Sequence, residues 1–160
     1  MPGLTALRFT FMTATSGDPS RLQERAGCAD QQDMVDLAVA YYTYYARGEN
    51  GQGEELVSFD RRQQEAEELN DEPTEIHRAV GMVDASVDAD FLEKLVDFSG
   101  NDTAEDTLTR ALVLLEDICD AHDKGYEIGL MNASESEITT LQLSASGKSP
   151  GLSPPRHRLH

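Results

Sequence analysis

The sequence predicts a mainly α-helical fold with short β segments (α+β), arranged as two similar halves of one chain. Three observations predict it. Two long stretches carry apolar residues at the helical spacing i, i+3, i+4, i+7. A short stretch alternating with period two precedes each of them. And "RLQERAGCADQQDMVDLAVAYY" (21–42) lies over "KLVDFSGNDTAEDTLTRALVLL" (94–115) without a gap, at an offset of 73.

The first half spans 6–59. "LRFTFM" (7–12) alternates Leu7, Phe9 and Phe11 with Arg8, Thr10 and Met12, the pattern of a half-buried strand. A short helix follows from Pro19 to about Ala26, with Asp18 as its cap. Gly27 ends it and Asp30 caps the next helix, about 31–47. That helix turns Val35, Val39, Tyr42, Tyr45 and Ala46 inward. "GENGQG" stops it, and "EELVSF" is a candidate strand. The stretch 60–80 is strongly polar and reads as a helical linker to Leu69, broken near Pro73.

The second half spans 81–143. "MVDASVD" (82–88) alternates Val83, Ala85 and Val87 with Asp84, Ser86 and Asp88. "ADFLEKLVDF" is a short amphipathic helix ended by Gly100. Asp102 or Thr103 caps a long helix to about Lys124, with Leu108, Ala111, Leu112, Leu115, Ile118 and Cys119 inward. Gly125 stops it, and residues 126–143 read as a β-hairpin. From Ser144 to His160 the chain is rich in Ser, Pro and Gly without periodicity, the composition of a disordered, basic tail.

The offset of 73 brings Leu22 onto Leu95, Gly27 onto Gly100, Asp33 onto Asp106 and Ala38 onto Ala111. The inward stripes correspond column by column. The recurring order is strand, short helix, glycine turn, long helix.

Charge narrows the function. Thirty acidic residues against 13 basic ones give a net charge of -17. Residues 82–142 hold 15 acids and 3 bases. Such a balance opposes bare electrostatic attraction to nucleic acid or anionic membrane, and favours a basic protein partner. The few lysines and many acids also suit a salt-adapted cell. No apolar run approaches the length of a membrane span. The N-terminus lacks the basic region of a signal peptide, and two cysteines make no disulfide framework, so a cytoplasmic setting is expected. Met12 offers an alternative start, which would remove most of "LRFTFM".

The stretch "VDASVDADFLEKLVDFSGNDTAEDTLTRALVLLE" (83–116) resembles the ribbon-helix-helix repressor superfamily. It shows an alternating strand, a short helix, a Gly-containing turn with a polar cap, and an amphipathic helix with Arg110, Ala111 and Leu112. The resemblance implies two strands paired antiparallel over a four-helix core, here as a single-chain pseudo-dimer. A homodimer is the alternative. It also implies DNA reading by outward strand residues. Here those residues are Arg8, Thr10 and Met12 from one strand and Asp84, Ser86 and Asp88 from the other. Carboxylates facing phosphates oppose that role. The expected function is therefore a non-enzymatic regulatory or protein-interaction module. The alternative is a DNA-binding regulator of a salt-adapted organism, using Arg8, Arg21 and Arg25.

Three other patterns are weighed and set aside. "CDAHD" places Cys119, His122 and Asp123 on one helical face, a spacing that can clip a metal, but no fourth ligand follows. A core cysteine beside a histidine at a helix C-terminus explains it as well. "YYTYY" (41–45) can stack ligands, or place Tyr42 and Tyr45 in the core with Tyr41 and Tyr44 on a flank. "ENGQGEE" lacks the Lys-Ser/Thr of a phosphate loop. No catalytic set, metal or cofactor is implied.

Overall fold

A computed structural model describes residues 4–14, 19–49, 54–60, 62–63, 65–132, 137–141 and 152–158. In chain order the elements are β1 (Leu4–Thr13), α1 (Pro19–Arg25), α2 (Gln31–Glu49), β2 (Glu55–Asp60), β3 (Glu65–Glu68), β4 (Arg78–Asp88), α3 (Ala89–Ser99), α4 (Ala104–Asp123), β5 (Glu127–Met131), β6 (Glu137–Leu141) and β7 (Leu152–Arg158). The fold is α+β, with four helices and two antiparallel sheets.

The first sheet is a two-stranded ribbon of β1 and β4. Its register pairs Leu7 with Ala85, Arg8 with Asp84, Phe9 with Val83 and Phe11 with Gly81. The period-two pattern sets which face is wet. Phe9, Phe11, Val83, Ala85 and Val87 are buried, and Arg8 and Asp84 face water. A bulge beside Phe11 lets the ribbon bend over the helices.

The second sheet has the order β3-β2-β5-β6-β7. Here the strand after each long helix pairs with its counterpart: Leu56 faces Leu130 and Val57 faces Gly129. β5 and β6 form the expected hairpin. Two edges close the sheet. β3 is the short acidic strand "EAEE" and β7 carries Pro154 and Pro155, both poor templates for further pairing. The prolines, which have no N–H, fall at the break in the ladder between Ile138 and Thr140.

Between the sheets lies the helical core. α4 is its centre and buries residues on nearly all sides, from Leu108 through Leu115 to Ile118 and Cys119. Its middle, Ala111–Leu115, is apolar on every side, as suits a position inside a core. The inward stripes read from the sequence are there: Val35, Val39, Tyr42 and Ala46 on α2 are buried, and Tyr45 packs against them. Tyr41 is fully buried too, so it belongs to the core rather than a flank. Gly27, Gly100 and Gly125 all adopt left-handed φ, between 73° and 89°, where the helices stop. Asp30 accepts from the Asp33 N–H, and Thr103, not Asp102, caps α4 by accepting from the Asp106 N–H at 3.0 Å.

Two segments depart from expectation. The linker is not helical: Glu65–Glu68 is strand β3, paired with Val57–Asp60 of β2. A helix over "RRQQEAEEL" would have little but Ala66 and Leu69 to bury, so pairing to an open sheet edge wins over helix propensity. The C-terminal segment is not wholly irregular either: Leu152–Arg158 forms β7 on the edge offered by β6. Residues 144–151 and 159–160 of that expected tail and the Asp18 cap lie outside the described residues.

Candidate interaction surface on the ribbon

The pleat places Leu4, Ala6, Arg8 and Thr10 of β1 on one outer face with Met82, Asp84 and Ser86 of β4. Arg8 and Asp84 are directly opposite. Arg8 donates from Nε to Asp84 Oδ1 at 2.8 Å and from Nη2 to Oδ2 at 3.2 Å, a bidentate pair with both side chains about two-thirds exposed. The hydrogen bond from Arg8 holds the Asp84 carboxyl below its ordinary value, and the same bond raises the Arg8 guanidinium. The cation of β1 and the carboxylate of β4 thus cancel locally. At the two ends of this face Leu4 is 71% exposed and Met82 is 51% exposed, both large apolar side chains.

The ribbon's margins are tied to the helices. Gln32, in the first turn of α2, brackets Ser86: its Oε1 accepts from the Ser86 N–H at 2.8 Å and its Nε2 donates to the Ser86 carbonyl at 2.9 Å. On the other margin the Thr109 hydroxyl of α4 donates to the Thr10 carbonyl at 3.0 Å. Asp88 is the last residue of β4 and pairs with Leu4, but its side chain turns to the helix that follows. Its Oδ1 accepts from the Phe91 N–H at 2.9 Å and caps α3. The position directly before a helix, three residues ahead of the accepted N–H, is the sequence signal that a strand-only reading overlooks.

The arginine set proposed for DNA does not gather here. Arg25 donates to Asp120 at 2.6 Å and to Asp123 at 2.8 Å near the end of α4. Those carboxylates lie roughly 16 Å or more along α4 from Thr109, which bonds the Thr10 carbonyl beside Arg8. Arg21 stands one turn before Arg25 and is exposed on α1. Helix N-termini, which can hold phosphates, already carry acid: Asp33 on α2, and Glu105 and Asp106 on α4.

The remaining sequence candidates resolve into structure. Cys119 is 1% exposed while His122 on the same helix is exposed, so they do not converge. Among the described residues no group of three His, Cys, Asp or Glu side chains is placed to hold a metal. Burial raises the Cys119 thiol to about 12 and the Cys28 thiol to about 11. The tyrosine cluster is an internal clasp. Tyr42 and Tyr45 stack with centroids 5.8 Å apart and donate to the buried Asp71 at 2.8 and 3.2 Å. Asn101, from the Gly100 turn, donates to the Tyr42 hydroxyl at 2.9 Å. Sequence reasoning missed Asp71 because it lies in the segment assigned to a linker. It also missed the buried Glu116, which accepts from the Thr13 hydroxyl and from the Ala14 N–H at 2.9 Å, with His77 Nε2 at 3.7 Å. No helix among the described residues is long and apolar enough to cross a membrane. No protein-family model, curated protein or solved structure matches this chain.

Proposed function

We propose that the chain is a non-enzymatic, ribbon-helix-helix-like pseudo-dimer that uses the outer face of its ribbon to dock another protein in a regulatory role. Two pairings support the pseudo-dimer. Phe9 faces Val83 in the ribbon, and Leu56 faces Leu130 in the second sheet; the members of each pair are 74 positions apart. Both ladders thus contain a pair close to the offset of 73 that relates Gly27 to Gly100.

The observation that carries the functional reading is the composition of the ribbon face. The guanidinium of Arg8 is held by Asp84, and the flanking positions offer Leu4 and Met82. A face that attracts phosphates needs uncompensated cations. This one has no uncompensated cation, and the exposed Leu4 and Met82 at its two ends give a protein partner apolar footholds on either side of the ion pair. The acidic first turns of α2 and α4 favour a partner with basic groups around an apolar contact.

A photo-reactive amino acid in place of Met82, with a second variant carrying it in place of Glu93, tests the reading in cell extract. The expected result is a discrete protein adduct from position 82 only, unchanged by nuclease. A nucleic-acid adduct, or equal labelling from both positions, overturns it.

A further inference from the structure

The tyrosine clasp does not fill the space around it. A cavity of about 240 Å³ opens where the loop between β3 and β4 meets α2 and the Gly100 turn. Its wall holds Asp71 and Glu72 from the loop, Tyr45 from α2, Phe98 from α3, Asn101 from the turn and Arg110 from α4. The loop is tied down beside them. Leu69 is buried, and the Asn70 N–H donates to Asp117 Oδ2 of α4 at 2.9 Å. The two carboxylates therefore stand on a fixed stretch of backbone.

Cation and carboxylates are unevenly matched at this cavity. Arg110 is the one cation among its described lining residues. Its Nη1 stands 3.8 Å from Asp71 and 3.9 Å from Glu72, beyond hydrogen-bond reach of both. It bonds Asp106 instead, donating from Nε at 3.3 Å one turn away on α4. Three carboxylates thus surround one guanidinium. Asp71 is 8% exposed, and each of its oxygens accepts one bond, from the neutral phenols of Tyr42 and Tyr45. A carboxylate oxygen can accept two, so each keeps a lone pair that no donor takes among the described residues. Asn101 commits its amide nitrogen to Tyr42 and Thr107, at 2.9 and 3.2 Å, and its Oδ1 accepts no bond among the described residues.

We infer that this cavity binds a small molecule through a primary ammonium group on a short alkyl stem. An ammonium carries three donors and no acceptor. The cavity offers acceptors on Asp71, Glu72 and Asn101. Tyr45 and Phe98 line it as well, and aromatic rings attract cations at their faces. An anion would find Arg110, but with three carboxylates around it, so charge favours the cation. The volume lies below the roughly 300–1,000 Å³ of sites for drug-sized molecules, so the occupant is an amine of a few carbons. Its ammonium stands between Asp71 and Glu72, and Arg110 turns to Asp106 alone. The inference is independent of what the ribbon docks.

Calorimetric titration of the full chain with 1,4-diaminobutane is the test. The expected result is saturable binding at one site, weakened by about threefold or more in Glu72→Gln. Arg110→Gln removes the competing cation and is expected to tighten binding by about threefold or more. A merely structural role for these residues would not move the two variants in opposite directions. Glu65→Gln, on β3 and outside the lining, is expected to leave binding unchanged. Both glutamates are exposed and Arg110 is half-buried, and circular dichroism checks that each variant folds. Should Arg110→Gln not fold, Glu72→Gln and the neutral counterpart 1,4-butanediol still decide. Absence of saturable binding overturns the inference. So does equal binding of 1,4-butanediol, insensitivity to Glu72→Gln, or weaker binding in folded Arg110→Gln. Binding of succinate that Arg110→Gln abolishes would reassign the cavity to an anion and overturn it as well.

Discussion

Asp84 reads in the sequence as one of three carboxylates and hydroxyls on an outward strand face, and in the structure as half of an ion pair with Arg8. The pairing predicts its titration. Its carboxyl lies below the ordinary 3.8, so the pair persists at neutral pH and breaks as pH falls through that lowered value. Carbon-detected NMR is expected to place the Asp84 midpoint below that of unpaired aspartates, and to return it to the ordinary range in Arg8→Gln. An unchanged midpoint would show that the pair does not form. Both groups are so exposed that little stability is at stake. The cysteines make a second prediction. Their raised thiols and burial leave almost no thiolate at pH 8, so a thiol reagent is expected to label neither Cys28 nor Cys119 until denaturant is added. Rapid labelling of the native chain would contradict their placement. Single residues were legible where a local rule governs them: Cys119 follows from helical spacing and the turn glycines from their place after apolar runs. Arg25 was not. Its partners Asp120 and Asp123 stand more than ninety positions away, and no local pattern announces them.

The elements were legible where periodicity and caps agree. α2, α3 and α4 each pair an apolar stripe with a stop glycine or a polar cap, so local preference and tertiary need coincide. Thr103→Ala removes the cap on α4 and is expected to cost about 1 kcal/mol in denaturant unfolding. No change in midpoint would mean that the cap is dispensable. Gly48 has a different role from the one its sequence suggests. It lies within α2 rather than ending it. A Cβ there would meet the Glu55 Cα at 2.9 Å and the Glu54 carbonyl at 3.0 Å, both backbone atoms that cannot rotate away. Gly48→Ala would raise helix propensity, yet it is expected to destabilise by about 1–3 kcal/mol because α2 and the start of β2 must separate. A stabilised Gly48→Ala would contradict that approach. β3 is the element the sequence misplaced. Three glutamates and an alanine become strand only because β2 offers an open edge, which is a tertiary fact.

At the scale of the molecule, the pairing of the strand at 7–12 with the strand at 82–88 was legible through the recurring order of elements and the family resemblance it supports; in the structure residues 4–10 face 82–88. The second sheet was not. That β2 and β5 pair, and that β7 extends the hairpin, depends on where the long helices end in space. The proposed pseudo-dimer places both ribbon strands in one chain, so a monomer is the expected species in sedimentation. Its covalent test uses the ribbon itself. The Ser86 N–H and carbonyl point away from β1 to Gln32, so residues 6 and 86 form a non-hydrogen-bonded pair, and by alternation so do residues 8 and 84. Such pairs bring their Cα atoms to roughly 4.5 Å, within disulfide range. An Arg8→Cys/Asp84→Cys chain, oxidised and run without reductant, is the most direct measurement. The account predicts a monomer containing one new internal disulfide between residues 8 and 84. A disulfide-linked dimer through those positions, or two thiols that stay reduced, would contradict it.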